Sequence, residues 1–372
     1  MAEAVFDTKK ILHTRYSKCV YRARRESAEA FFRGKNCWEP IFLLQFSWAD
    51  EYKTDVCICL VAINCNKVYT VAMKMTILGS GTSHGVPVIA CKCKVCTSVD
   101  SRDKRMRASA LVQSADASIV IDTGPEFRMQ ALRCGLEKLD AVLVTHSHAD
   151  HLNGLDDVRI FSHTKSVDPS NPDAKETEGE GLPVYANAWT IRDTKNRFDY
   201  IFMPVKEGGG KPKILLEDTA AFSAENPIRT KSICAIPIPI MHGHLECNGY
   251  LLYEDAPLQK RKSIAYLTDC SSIPQETFDV IAKNAGTLEH LVIDGLREKP
   301  HSTHFSFEQA LEAANILAPR HTWLTHITHN KSHTEINEYV LTLLEKFPAL
   351  SAIVKSGGSV EAAYDGLELS CP

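Results

Sequence analysis

Short apolar runs alternate along this chain with stretches whose apolar residues recur at helical spacing. Runs at 74–78, 110–112, 118–122, 141–144, 182–185, 236–240, 263–267 and 290–294, and one starting at His321, read as strands. Helical stretches fall at 126–134, with Pro125 suited to a first turn, from 152 to 158, and at 188–198 behind the N-cap candidate Asn187. Two more follow: 306–317, capped by Ser306 with Glu308 in its first turn, and 335–345. Residues 354–369 read as strand-like segments around Ser356 to Ser359. Residues 162–182 are rich in Ser, Pro, Asp and Glu and read as a loop at a rim. The Gly208-Gly209-Gly210 run reads as a flexible connection, because it lacks the GK[ST] ending of a phosphate loop.

Residues 1–72 break this pattern. A basic, helix-permissive segment reaches about Gly34, and an apolar, aromatic patch spans Trp38 to Trp48. Cys57 and Cys59 have no third ligand at zinc-finger distance. The segment is expected to be a poorly packed extension of unknown role, with one catalytic domain over 73–372.

Composition narrows the class. The 372 residues are 44% hydrophobic and 24% charged, ordinary values for a soluble globular protein. A net charge of −4 supplies no global basic field for nucleic acid. No apolar run nears the roughly 18 residues that span a bilayer. The N-terminus lacks a secretory layout, and Glu3, Asp7, Glu26 and Glu29 argue against a transit peptide despite its basic residues. Thirteen cysteines in such a chain point to reduced thiols and metal ligands in a cytoplasmic-type compartment.

The chemistry starts where the 141–144 run ends, in Thr145-His146-Ser147-His148-Ala149-Asp150-His151. In an extended loop His146 and His148 project to one side, leaving Asp150 and His151 free for a second ion. Imidazole suits zinc, manganese or iron, and the carboxylate adds a hard oxygen donor. Further runs end the same way: in Asp122, His242 and His244, Asp269, Asp294, and His326 with His329. Such recurrence suggests a sheet whose ends converge on one site. Asp122 either orients a ligand or forms a turn, and His84, in a glycine-rich stretch, reads as a turn residue. Cys91, Cys93 and Cys96 form a C-x-C-x2-C set able to close around a tetrahedral zinc that needs one more ligand. His301 and His304 sit together before the 306–317 helix.

Taken in order, the motifs GTSHGVP, CKCKVC, THSHADH, PIMHGH, LTDCSSIP, HSTHFS and THITH resemble one branch of the metallo-β-lactamase superfamily, the phosphoribosyl cyclic phosphate phosphodiesterases. The resemblance runs from Met73 to about Leu369, and residues 1–72 have no counterpart in it. It implies an α/β fold, the αββα four-layer sandwich. It implies two divalent ions, zinc or manganese: one on His146, His148 and His242, the other on Asp150, His151 and His326, with Asp269 bridging. Spacing after His242 is longer than the family's, so His244 rivals it. By the same resemblance His329 completes a structural zinc with Cys91, Cys93 and Cys96, and His304 protonates the leaving group. The expected activity is hydrolysis of a small, cyclic-type phosphodiester by a metal-bridging hydroxide. Rival readings are an RNase Z-like RNA-processing hydrolase, a thioester or lactone hydrolase, and a metal-binding module without turnover. The expected partner is the small phosphodiester substrate, with no strong signal for nucleic acid and none for a membrane; a homodimer is compatible, and the sequence leaves the oligomeric state open.

Overall fold

The computed structural model describes residues 73–162, 181–203 and 211–371, together with the backbone pairing of two strands before them. The helix-permissive N-terminal segment, the aromatic patch apart from its strand, the polar loop over 163–180 and the Gly208–Gly210 run lie outside the described residues. Contacts divide the chain into two units, Met1–Thr70 and Val71–Pro372. In the first, β1 (Phe42–Ser47) pairs antiparallel with β2 (Val56–Val61).

In the second unit the apolar runs become two seven-stranded sheets. One contains β3 (Lys74–Gly79), β4 (Ser109–Gln113), β5 (Ser118–Ile121), β6 (Ala141–Leu143), β7 (Leu182–Ala186) and β8 (Ile214–Asp218). The other contains β9 (Ile228–Thr230), β10 (Ile233–His242), β11 (Leu245–Glu254), β12 (Lys262–Leu267), β13 (Thr287–Asp294), β14 (His321–Thr325) and β15 (Ser359–Ala362). The final strand, β16 (Glu368–Ser370), returns to pair antiparallel with β3. Each sheet is antiparallel in one half and parallel in the other: β5 to β8 in the first, β12 to β15 in the second.

Alternation along each strand makes the layers. Met75, Ile77, Ile119, Ile121 and Leu143 point into the space between the sheets, where they meet Tyr250, Leu252, Ile264, Tyr266 and Val292. The residues between them face outward. Leu78, Val120 and Val142 pack under α1 (Phe127–Cys134), and Ala265, Leu291 and Ile293 pack under α7 (Phe307–Leu317) and α8 (His333–Leu343). Helix, sheet, sheet and helix therefore stack as four layers, the αββα arrangement. A one-residue slip in any central strand would turn its apolar set to the wrong layer, so the register is strongly specified.

The remaining helices are α2 (Ala149–Leu152), α3 (Arg159–Ser162), α4 (Ala188–Arg197), α5 (Asp199–Phe202), α6 (Gln275–Asn284) and α9 (Pro348–Lys355). Asn187 accepts from the Thr190 amide, and Ser306 forms a capping box with Gln309, so both caps lie where the sequence puts them. α8 starts two residues earlier than its apolar pattern, because Ser332 and Glu335 form another capping box. Two readings change. The stretch after Leu152 is not one helix: Gly154 interrupts it, since a Cβ there would lie 2.0 Å from the Gly124 carbonyl. Residues 348–355 are helical, with Pro348 at the first turn, and strand structure begins only at Ser359. Pro237 and Pro239 lie on the stretch of β10 beyond the reach of β9, where no strand pairs on that side and a missing amide costs nothing. Among the described residues no helix is long and apolar enough to cross a membrane.

Because both faces of each sheet in the second unit are covered from within that unit, a chain beginning at Met73 is expected to fold alone. It should keep the far-UV spectrum of the unit and melt within a few degrees of the full chain; insoluble protein would show that the first unit is needed.

Candidate metal centre

β10, β12, β13 and β14 run in one direction, and their carboxyl ends meet those of β5 and β6. Sites in α/β sheets form at such ends. The residues emerging there are held in unusual backbone. Asp122, Asp269 and His326 have φ of +61°, +55° and +57°, a region that residues bearing a Cβ adopt only under constraint. The loop between β6 and α2 is pinned against the β5 end: the Thr123 amide donates to the His151 carbonyl, and Gly124 lets the backbone at Asp150 approach so closely that a Cβ would lie 2.1 Å away. Asp150 and His151 thus sit on α2 rather than in an extended loop.

Two donor groups result. His146, His148 and His242 bring one ligand atom each within 4.8 Å of one another, and Asp150, His151, Asp269 and His326 do the same. Asp269 touches both. Its Oδ2 is 3.1 Å from His151 Nε2, and its Oδ1 is 3.3 Å from His326 Nε2 and 3.9 Å from His146 Nε2. The structure brings in His242 and not His244. His242 ends β10 opposite Leu245, Gly243 turns the chain at φ +63°, and His244 is left exposed.

Backbone and side-chain acceptors fix which nitrogen of each ring faces inward. His151 Nδ1 donates to Asp122 Oδ2 at 2.7 Å, and His242 Nδ1 donates to the Thr303 carbonyl at 2.7 Å. Thr145 gives its hydroxyl proton to Asp122 and accepts from His146 Nδ1 at 3.0 Å. In the neutral rings each Nε2 then presents a lone pair to the centre, the arrangement by which metal-ligating histidines are oriented. Asp122, which also receives the Thr145 amide, is therefore an orienting residue and not merely a turn former.

Several of the inward-facing nitrogens are left without a partner. His146 Nε2, His151 Nε2 and His326 Nε2 are buried with no aligned hydrogen-bond partner. Burial drives His146 well below the usual imidazole range. Burial also opposes charge on His151, yet Asp269, Asp150 and Asp122 raise it well above that range. Imidazole nitrogens and carboxylates converging in a buried pocket fit a divalent cation, which would take the place of the proton that the carboxylates otherwise favour on His151.

One more ring adjoins the centre. His304 Nδ1 donates to Asp294 Oδ2 at 2.7 Å, and its ring lies 4.5 Å from His242 and 4.6 Å from His326. Asp294 is fully buried, which raises its carboxyl, and it also receives the Cys270 amide at 2.7 Å. Its partnership with His304 is absent from the sequence reading; the only signal was one more strand ending in aspartate.

Apart from these groups, Cys91, Cys93 and Cys96 each place Sγ 3.4 Å from His329 Nδ1. The Cys96 amide and His329 lower the Cys93 thiol to about 6, whereas burial pushes Cys96 up to about 11. Three sulfurs and one imidazole nitrogen converging on a point fit tetrahedral zinc. His84 Nδ1 donates to the Gly85 carbonyl and its ring meets His329 edge-on, so it braces this loop.

Comparison with known proteins agrees with this geometry. Residues 117–327 match the family model described as the beta-lactamase superfamily domain. An octanoyltransferase of Porphyromonas gingivalis is 32% identical over 298 residues, 80% of this chain and 51% of that protein. Coenzyme PQQ synthesis protein B of Methylobacterium radiotolerans is 35% identical over 97 residues, 22% of this chain and 32% of that one. The chain thus covers about half the length of the first relative and about a third of the second. Among solved structures, a diphosphatase from the PhnP family superposes with a TM-score of 0.62 at 36% identity, covering 81% of this chain and 98% of that one. Zinc-bound PqqB from Methylobacterium extorquens shares the fold, with a TM-score of 0.55 at 18% identity over 80% of this chain and 100% of that one. With a family match across more than half its length, the four-layer fold and His/Asp groups at the strand ends, the chain belongs to the metallo-β-lactamase superfamily.

Proposed function

We propose that the protein is a dinuclear-metal phosphodiesterase that hydrolyses a small phosphodiester, with cyclic diesters the preferred class. The observation that carries this reading is the Asp294–His304 pair, an imidazole held at Nδ1 by a buried carboxylate beside both donor groups. In the proposal His146, His148 and His242 hold one cation, Asp150, His151 and His326 a second, and Asp269 serves both, with zinc or manganese as the metal. Cys91, Cys93, Cys96 and His329 hold a separate structural zinc. Similarity to the PhnP-family diphosphatase supports phosphoryl chemistry.

When bound, the paired cations supply Lewis acidity at phosphorus and neutralise charge that builds on the phosphoryl oxygens. Hydrolysis joins a water oxygen to phosphorus and breaks the bond to the leaving oxygen, which departs as an alcohol only with a proton. His304 delivers that proton from Nε2, while Asp294 holds Nδ1–H and stabilises the imidazolium. A positioned acid of this kind contributes about 10²–10⁴-fold. The described cysteines are all unpaired thiols, which supports a reducing, cytoplasmic-type setting.

The test is bound-metal analysis followed by assays with bis(p-nitrophenyl) phosphate and a panel of cyclic diesters, linear diesters and thioesters. The protein is expected to cleave the diesters. His304→Ala should lower kcat about 10²–10⁴-fold for alcohol leaving groups and far less for p-nitrophenolate, which leaves without a proton. Thioester hydrolysis without diester hydrolysis would overturn the proposal.

A further inference from the structure

β6 pairs with β5 and β7 as far as Leu143 and then stops. The buried backbone groups that follow, on the way into the His146–His151 loop, must find partners elsewhere. The Thr145 amide donates to Asp122 Oδ1 at 2.8 Å. Two further bonds come from β11, in the opposite sheet. The Tyr250 hydroxyl donates to the Val144 carbonyl at 2.8 Å, and the Asn248 amide donates to the Thr145 carbonyl at 2.9 Å. Asn248 lies beyond the reach of β12, which pairs with β11 only over Tyr250–Tyr253, so its amide is available to the loop.

Tyr250 is fully buried in the apolar layer between the sheets. A hydroxyl placed there costs free energy unless it is bonded, and phenylalanine would fill the same space without it. The direction of the bond is set as well. Asn248 Nδ2 donates to Tyr250 Oη at 3.4 Å and to Thr219 Oγ1 at 3.1 Å, which leaves the tyrosine proton for Val144. The same strand faces the other source of the first donor group, because Leu245 of β11 pairs with His242 across the turn. β11 therefore touches the chain just before His146 and His148 and the chain at His242.

We propose that Tyr250, aided by Asn248, is a positioning residue for the His146–His148–His242 group. The two hold the backbone that carries His146 and His148 against the strand that faces His242, so three donors from two sheets keep one spacing. Their effect falls on the affinity of this group for a divalent cation, and only weakly on the group of Asp150, His151 and His326, whose nearest brace is Asp122. The inference rests on the two-cation reading of the centre.

The test is a manganese titration of the metal-free full chain, with the free ion counted by its paramagnetic resonance. Manganese prefers oxygen and nitrogen donors to thiolates, so it reports the His/Asp groups and not the cysteine group. A zinc titration against a competing chelator is run beside it. In Tyr250→Phe one of the two ions is expected to bind about tenfold more weakly, the size of a lost outer contact to a metal ligand, and the other within twofold of wild type. The metal-free variant should melt within a few degrees of wild type. Tyr266→Phe is the matched control: Tyr266 is also fully buried in that layer, but its hydroxyl has no aligned hydrogen-bond partner among the described residues, so both ions should bind as in wild type. If Tyr250→Phe is insoluble, Asn248→Ala, which frees the hydroxyl to turn from Val144, should show the same one-ion loss at about threefold. Wild-type affinity for both ions in the soluble variant, or equal losses in Tyr250→Phe and Tyr266→Phe, would overturn the role of Tyr250 while leaving the two-cation reading intact. A wild-type protein that takes up neither manganese nor zinc at the His/Asp groups would overturn both.

Discussion

Asp269→Asn is expected to keep the fold and lose about 10³-fold in kcat/KM, equivalent to about 4 kcal/mol of transition-state stabilisation. Among the described residues Asp269 is the one carboxylate within reach of His146, His151 and His326 together. Burial would raise its carboxyl, yet His151 and His326 hold it well below the usual carboxylate range, so the side chain is an anion. Asparagine has the same shape and neither property. It is neutral, and its amide end presents protons where the imidazoles present lone pairs. One group of donors would lose its shared member and the other its nearest counter-charge. The native fold should survive, because the central layer of Tyr250, Ile264 and Tyr266 does not depend on this residue. Turnover, metal content and the far-UV spectrum measured on one preparation decide the matter. Wild-type turnover at full metal load would remove Asp269 from the chemistry.

Much of this centre is legible in the sequence, because its parts are local. An apolar run ending in histidine or aspartate predicts a strand whose end presents a ligand, and at Thr145–His151, His242, Asp269 and His326 the structure brings such ends together. Caps are equally local, and Ser306 and Asn187 stand where the pattern puts them. Long-range bonds are what the sequence hides. Thr303 lies 61 residues from His242 and Asp122 lies 29 from His151, and no periodicity announces either pairing. The choice between His242 and His244 is hidden for a different reason. It turns on where β10 stops, and only pairing with Leu245 across the turn decides that. The apolar residues of 348–355 suit a helix or a strand equally, and Pro348 at the first turn settles it as a helix.

Cys93→Ser should separate the cysteine group from the catalytic groups. The three sulfurs come from the loop after β3 and His329 from the end of β14, so an ion held by them joins residues up to 238 positions apart. Structural zinc can contribute roughly 10 kcal/mol to folding in small peptides. In a unit with a core of its own, the expected loss is nearer 3 kcal/mol, which lowers Tm by roughly 6–12 °C. Zinc content should fall by one ion per chain. Manganese should not restore the melting temperature, because thiolates favour zinc and manganese favours oxygen donors. Activity should drop only indirectly. His326 precedes His329 by three residues, and the Thr82 amide ties the Ile327 carbonyl to the glycine-rich loop, so a loosened cysteine loop should displace the proposed ligand His326 through the backbone. His304→Ala is the matching control. It should retain the zinc and the melting temperature while losing turnover, since its only strong anchor is Asp294 and the core closes without it. The two variants should therefore fail in opposite columns, one in stability and zinc, the other in rate. A Cys93→Ser protein that melts like wild type and keeps its zinc would show that these sulfurs hold no structural ion.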